Sequence, residues 1–403
     1  MNSTKHNPVI VVVAYNRLNS IKRLLGSLKK GNYPYNTKLV ISIDYAPGNS
    51  PVVEYAREYE WEAGDKKVIV HPSNIGLRNH IISCGDFSLE YGSVIILEDD
   101  LYVSPHFYSY AQQVMEFYSA EPNIGGIALF NYQHIENTQH PEPFRPLADD
   151  SDVYFLQYAC SSGQIWTADQ WKAFRKWYDT NPDIKTVRGM PEHVLMWPER
   201  SWKKFFIAFL IETNRYFVYP RYSLTTNFDD VGTNRGMSTF EVQSVLLIAE
   251  RRFSFKSFRD SESVYDAHFE MQPETLKHYN GKLKDYNFSV DLYGHKNIDR
   301  INEDFILTTK KCTSPVYSFA RSLKPHEMNI MFDIQGEDIF LCNKKYIDRL
   351  VKREKVRKFV SDFNYYYRNI LEMNEIMLFV RYKIYNIGVK IKGFFGFNSQ
   401  RGS

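Results

Sequence analysis

Five short apolar runs, each but the last followed by a segment of helical spacing, fill the first 130 residues and narrow the folds open to this chain. "PVIVVVAY" (8–15) is a continuous β-branched run, the pattern of a strand buried on both faces. "LNSIKRLLGSLKKG" follows, with Leu18, Ile21, Leu24, Leu25 and Leu28 on one helical face and Gly31 as a stop. "KLVISID" (38–44) predicts a second strand, "SPVVEYAREYEWEAG" (50–64) a helix with proline in its first turn, and "KKVIV" (66–70) a third strand. "LRNHIISCGDFSLEY" predicts a helix, "SVIIL" a fourth strand, "SPHFYSYAQQVMEFYSA" a helix and "IGGIALF" a fifth strand. Such alternation implies an α/β fold, a mostly parallel sheet covered by helices on both faces. Ligands of such sheets sit beyond the carboxyl ends of the strands. Tyr15 to Arg17, Asp44, the loop 71–78 and the acids 98–100 all fall there.

The fourth strand runs into Glu98, Asp99 and Asp100, three carboxylates whose mutual repulsion opposes ionising them all. The chain has no GxGxxG after its first strand, where "AYNRLNS" lacks any glycine, and no GxxxxGK phosphate loop. A bound nucleotide diphosphate would therefore need charge from another source. Mg²⁺ and Mn²⁺ take oxygen ligands, commonly one or two carboxylates together with phosphate oxygens. A solvated acidic turn or a helix-start acid is the competing reading. Placement after a buried strand in an α/β array favours the metal.

"VVVAYNR", the "SID" that closes the second strand and "SVIILEDDLYVSPHFYSY" together resemble the nucleotide-sugar glycosyltransferases of GT-A fold. The likeness is to the inverting enzymes of the N-acetylglucosaminyltransferase I type and their bacterial relatives, and it spans about residues 8–235. It implies Asp100 as the direct metal ligand, Asp99 and Glu98 at the donor's sugar and ribose, and Arg17 near the diphosphate. It also implies that Asp44 accepts a hydrogen bond from uracil and that Tyr15 binds the donor. Arg78 and His80 line the donor pocket on this reading, with a plain helix face as the alternative. "SSGQIW" (161–166) would lie beside the donor sugar, and Asp229 or Asp230 in a loop that closes over the donor.

The family's catalytic base maps to "MWPERSWKKFF" (196–206). Aligning Trp202 puts Arg200 where the acid is expected, so Glu199 becomes the expected base and Glu192 its nearest substitute. The activity implied is transfer, with Mn²⁺ or Mg²⁺ and inversion, from a UDP-sugar to a hydroxyl of a glycan acceptor, lipid-linked or not, in surface polysaccharide or glycoconjugate synthesis. Two other classes stay open. One is a nucleotidyltransferase that uses the same carboxylate-held metal. The other is a catalytically inactive sugar-nucleotide-binding protein, which Arg200 makes credible.

At 403 residues and 43% hydrophobic, the chain has room for two domains. A GT-A catalytic domain is expected over 1–235, and a mainly helical accessory region over 236–403, where "DIFLCN" alone reads as a strand. The polar, proline-rich 135–152 segment predicts a long loop. Net charge is only +3, but from Lys344 onward 14 Lys and Arg face 5 Asp and Glu, a balance of +9 that leaves −6 on the first 343 residues. This basic, aromatic tail suits peripheral contact with an anionic membrane, or a helix packed on the body. No RNA-binding motif is visible, so nucleic acid is not an expected partner. Four scattered cysteines without a CxxC pair, and no run long enough for a signal sequence or a membrane span, imply the cytoplasm.

Overall fold

The opening β-branched run forms β1 (Val9–Ala14), every residue of which is buried. The structure is a computed structural model that describes residues 6–34, 36–136, 142–180, 182–228, 230, 243–347, 361–367, 377, 380–382 and 384. After β1 come α1 (Leu18–Leu28), β2 (Leu39–Ile43), α2 (Ser50–Glu58), β3 (Lys66–Val70), α3 (Leu77–Gly85), α4 (Phe87–Tyr91) and β4 (Ser93–Glu98). β5 (Leu101–Val103), α5 (Phe107–Tyr118), β6 (Ile124–Ala128), β7 (Val153–Leu156), β8 (Gln164–Thr167), α6 (Ala168–Tyr178), α7 (Glu192–Leu195), α8 (Trp202–Glu212), β9 (Tyr216–Pro220) and β10 (Thr225–Asn227) continue the chain.

Nine strands form one sheet in the order β11-β7-β9-β6-β8-β4-β1-β2-β3, where β11 (Val264–Tyr265) returns to its far edge. β3, β2, β1 and β4 run parallel, β6 pairs parallel with β9, and β8 lies antiparallel between β4 and β6. This is the expected α/β architecture with a mostly parallel sheet.

The alternation of a strand explains its two faces. Ile10, Val12 and Ala14 of β1, with Leu39, Ile41 and Ile43 of β2, share a core with Leu24 and Leu28 of α1, Val52 of α2 and Val114 of α5. α3, α4, α6 and α8 group together away from that core, where Trp166, Trp171, Phe174 and Phe206 stack. Each fully buried aliphatic side chain contributes roughly 1.5–3 kcal/mol. α6 begins with a capping box, Thr167 and Gln170 each satisfying the other's backbone N–H.

The register sets where the acids sit. Val13 of β1 pairs with Glu98, so Glu98 is level with the end of β1 and the next two acids lie beyond the sheet. β5 then pairs antiparallel with β10, which brings Phe228 N–H to within 3.0 Å of the Asp100 carbonyl.

Several expectations are corrected. The helix expected over 50–64 ends at Glu58, where Tyr59 turns extended and its hydroxyl donates to the Leu25 carbonyl. The helix expected over 77–91 is two, α3 and α4, meeting at Asp86, whose carboxylate accepts the Trp171 indole N–H at 2.7 Å. The region after 235 is not mainly helical among its described residues. α9 (Pro273–Tyr279) and α10 (Glu327–Met331) are short. β12 (Phe288–Asp291), β13 (Phe305–Thr308), β14 (Pro315–Phe319) and β15 (Ile339–Asn343) form a second, mixed sheet in the order β12-β13-β15-β14. β15 is the strand expected from "DIFLCN", while the other three show no period that a sequence pattern can distinguish from a helical piece.

The 135–152 segment has no regular element among its described residues, as expected. Arg221 pins it by donating to the carbonyls of Pro146, Leu147 and Ser151 and to Asp149. The chain divides into two units, Met1–Asp348 and Arg349–Ser403. In the second, residues 361–367 are helical, and most of the basic, aromatic tail lies outside the described residues. No helix among the described residues is long and apolar enough to cross a membrane. All four cysteines are free thiols.

Candidate active site

A cavity of about 690 Å³ opens beyond the carboxyl ends of β1, β2 and β4, within the range of small-molecule sites. Its walls bring together Tyr15, Arg17, Asp44, Glu98, Asp99 and Asp100. These six expected site residues thus meet around one space, because parallel strands deliver their following loops to the same edge of the sheet.

The repulsion among the acids is met by a guanidinium. Arg17, just ahead of α1, donates through Nη2 to Asp99 Oδ1 and through Nη1 to Asp100 Oδ2 at 3.0 Å. Burial, and then Asp100 and Asp99, push the Glu98 carboxyl up to about 8. Burial also raises Asp99, to about 6, against the pull of Arg17. Arg17 thus bonds two of the three carboxyls, Lys203 adds a through-space pull on Glu98, and part of the charge is suppressed by protonation.

At the β2 end, Asp44 organises the backbone. Its Oδ1 accepts the N–H groups of Tyr45 and Ile75 at 2.9 Å, and its Oδ2 accepts that of Gly76 at 3.0 Å. Gly76 has φ +79°, a left-handed conformation that glycine adopts without strain. Asn49 Nδ2 donates to the carbonyls of Tyr15 and Asp44, tying the ends of β1 and β2 together. His80 also lines the cavity. Its Nε2 lies 2.8 Å from Ser42 Oγ, and burial lowers the imidazole to about 4, so it is neutral at physiological pH.

Further wall comes from residues 161–162, 197–198 and 200–203. Gly163 (φ +95°) makes the first of these possible, since a Cβ there would sit 2.9 Å from Thr225 Cγ2. Asp230 lines the cavity too, held by Ser20 and Arg23 of α1, while Asp229 lies outside the described residues.

Arg78, Glu199 and Glu192 do not line the cavity. Arg78 stacks 5.0 Å over the Phe205 ring and sits 3.7 Å from Glu199. Glu199 is 76% exposed and accepts a hydrogen bond from Lys204 Nζ at 2.5 Å, which lowers its carboxyl below the usual value. Glu192 accepts from Asn297 at 2.7 Å. Arg200 does face the cavity.

Two lining residues were missed by the sequence reading, Glu136 and Lys203. Lys203 is buried on α8 and donates to Glu136 Oε2 at 2.5 Å and to the Tyr132 hydroxyl at 3.1 Å. The rings of Tyr158, Trp197 and Tyr132 surround its ammonium group at 4.7, 5.4 and 5.8 Å. The signal was present in "SWKKFFIAFLIE", an apolar helix carrying two adjacent lysines, because a lysine buried in such a helix requires a partner.

No group of three or more metal-ligating side chains is preassembled among the described residues. The acids nevertheless suit a hard cation that shares its shell with a ligand's phosphates. Asp99 Oδ2 is buried without a hydrogen-bond partner, and Asp100 is part exposed, 18% at its side chain.

No protein-family model matches the chain, and no curated protein matches it. Among solved structures, it is similar to residues 1–349 of S. aureus TarS in complex with UDP-GlcNAc, with 14% identity and a TM-score of 0.36 over 56% of this chain and 60% of that one. It is similar to GalNAc-T7 with UDP, GalNAc and Mn²⁺ at 11% identity and TM-score 0.35, covering 55% of this chain and 43% of that one. The mannosyltransferase PcManGT from Pyrobaculum calidifontis, in complex with GDP-Man and Mn²⁺, matches at 14% identity and TM-score 0.29, over 44% and 48%. The chain thus spans at most about 60% of the length of these structures.

Proposed function

We propose that the chain is a metal-dependent, inverting glycosyltransferase of GT-A fold that moves a sugar from a UDP-sugar to a hydroxyl of a glycan acceptor. The observation that carries this reading is the cavity at the strand ends, where Arg17 and the acids 98–100 meet in one ligand-sized space. Asp100, with Asp99 beside it, would hold Mn²⁺ or Mg²⁺, which supplies charge to offset that of a diphosphate leaving group. Arg17, already between the two carboxylates, is placed to turn toward the phosphates once a cation takes over its role. Asp44 uses three of about four lone-pair positions on backbone N–H groups, which leaves capacity for one pyrimidine N–H. Glu98, largely protonated near neutral pH, can donate to a sugar or ribose hydroxyl.

The test is calorimetry and turnover with UDP-glucose, UDP-galactose and their N-acetylamino counterparts, with and without Mn²⁺, on wild type and Asp100→Ala. Binding that needs Mn²⁺, release of UDP rather than pyrophosphate, and a loss of about 100-fold or more in the variant are expected. Activity indifferent to EDTA and to Asp100→Ala would refute the metal's role.

A further inference from the structure

Glu136 lies in the turn after β6 and lines the same cavity as the strand-end acids, yet it is remote from them in sequence. Both of its hydrogen bonds, from the Tyr132 hydroxyl at 2.8 Å and from Lys203 Nζ at 2.5 Å, fall on Oε2. Oε1 accepts none from the described residues, and the side chain retains 20% exposure. One oxygen is anchored, and the other is left without a donor among the described residues on a side chain that lines the cavity. Glu199 has its charge committed to Lys204 and Arg78 outside the lining, and Arg200 is a cation that cannot take a proton.

Resting on the transferase reading above, we propose that Glu136 is the catalytic base and that Lys203 is the positioning residue that holds it. The acceptor hydroxyl gives its proton to Oε1 as its oxygen bonds to the anomeric carbon. The bond from that carbon to the diphosphate oxygen breaks, and its electron pair leaves with the nucleoside diphosphate. Glu136 then passes the proton to water.

The surroundings keep this carboxyl ionised. Burial raises it, but Lys203, through its charge and its hydrogen bond, and the Tyr132 hydroxyl hold it below the usual value. The other groups facing it are neutral. Burial lowers His193 to about 4, raises Cys160 to about 12, and pushes Tyr132, Tyr158 and Tyr219 well above the phenol range. Lys203 also acts on Glu98. Removing the ammonium should therefore move the titration of Glu136 upward.

The experiment compares Glu136→Gln, Glu136→Asp, Lys203→Met, Tyr132→Phe and Glu199→Gln with wild type, using the UDP-sugar panel, Mn²⁺ and a set of oligosaccharide acceptors. Glu136→Gln should keep donor affinity within about threefold while kcat falls about 100-fold or more, the scale of a lost general base. Glu136→Asp, which retains a carboxylate, should recover part of that rate and carries the test if the glutamine variant does not fold. The acid limb of kcat/KM should shift to higher pH in Lys203→Met and by less in the near-isosteric Tyr132→Phe. A purely structural role would lower the whole profile without moving its limb. Transfer by Glu136→Gln within threefold of wild type, a parallel loss of donor binding, or a larger kcat loss in Glu199→Gln overturns the assignment and leaves the transferase reading standing. A wild-type protein that neither binds nor turns over any UDP-sugar removes both.

Discussion

At the end of β4, one guanidinium is bonded to two of three adjacent acids, whereas in the loop after β6 a lone acid is bonded to an ammonium. The first group is short of positive charge, with Glu98 raised to about 8, Asp99 to about 6, and Arg17 as the cation bonded to Asp99 and Asp100. The second is balanced, with Glu136 lowered and Lys203 buried among three rings. An under-compensated cluster at a cavity wall has room for another cation. A compensated pair with one open oxygen can instead exchange a proton. In the transferase proposed above, the wall would separate the task of offsetting a leaving group's charge from the task of accepting a proton.

The sharpest way to break that contrast is to remove each cation. Lys203→Met leaves Glu136 buried without a counter-charge and should cost about 3–5 kcal/mol in urea unfolding at pH 7.5. Arg17→Met should cost less, about 1–2 kcal/mol, because Glu98 and Asp99 can hold protons and Asp100 reaches solvent. Equal costs would mean that the two groups are compensated alike.

The difference between the groups also explains what the sequence made legible. The acids 98–100 could be placed because β1, β2 and β4 are buried on both faces and read as unbroken apolar runs, so the strand ends, and with them the ligand edge, follow from topology. Glu136 could not. It is an isolated acid in a polar loop, and its partner stands 67 residues further along. β5 escaped for the same reason, as three residues whose sheet partner among the described residues is β10, far along the chain. Of the second sheet, β15 was legible in "DIFLCN", whereas "FSVD", "FILT" and "PVYSF" were not, being short and not set off by long amphipathic helices such as those that flank β1 and β2. Local periodicity identifies long elements, and long-range pairing alone identifies short ones.

His80 shows a third way to keep a titratable group in this wall, by holding it neutral. Its folded value of about 4 lies below the usual 6.5, so the unfolded chain binds a proton that the folded chain refuses between those values. The resulting stabilisation is complete above pH 6.5 and is lost as pH falls toward 4, about 2 kcal/mol of it by pH 5. Urea unfolding from pH 7.5 to 5 should show wild type losing that much more than His80→Gln. Equal acid slopes would show that folded His80 takes up its proton freely, and the wall would then contain a further cation.

The smallest effect belongs to Glu199, the acid that the sequence placed at the centre of the chemistry. Its carboxylate is 76% exposed, and its partner Lys204 is buried and also donates to the Trp197 carbonyl at 3.1 Å. Water can therefore replace the carboxylate at little cost, and the carbonyl keeps the ammonium partly satisfied. Glu199→Gln should lower stability by about 1 kcal/mol or less. Added salt, which screens exposed pairs within a Debye length of about 10 Å at 0.1 M, should narrow the gap further. A loss of 3 kcal/mol or more that persists in 0.5 M NaCl would place Glu199 with Glu136, as the counter-charge a buried lysine requires, and would erase the distinction between an acid that serves the cavity and one that serves only the loop.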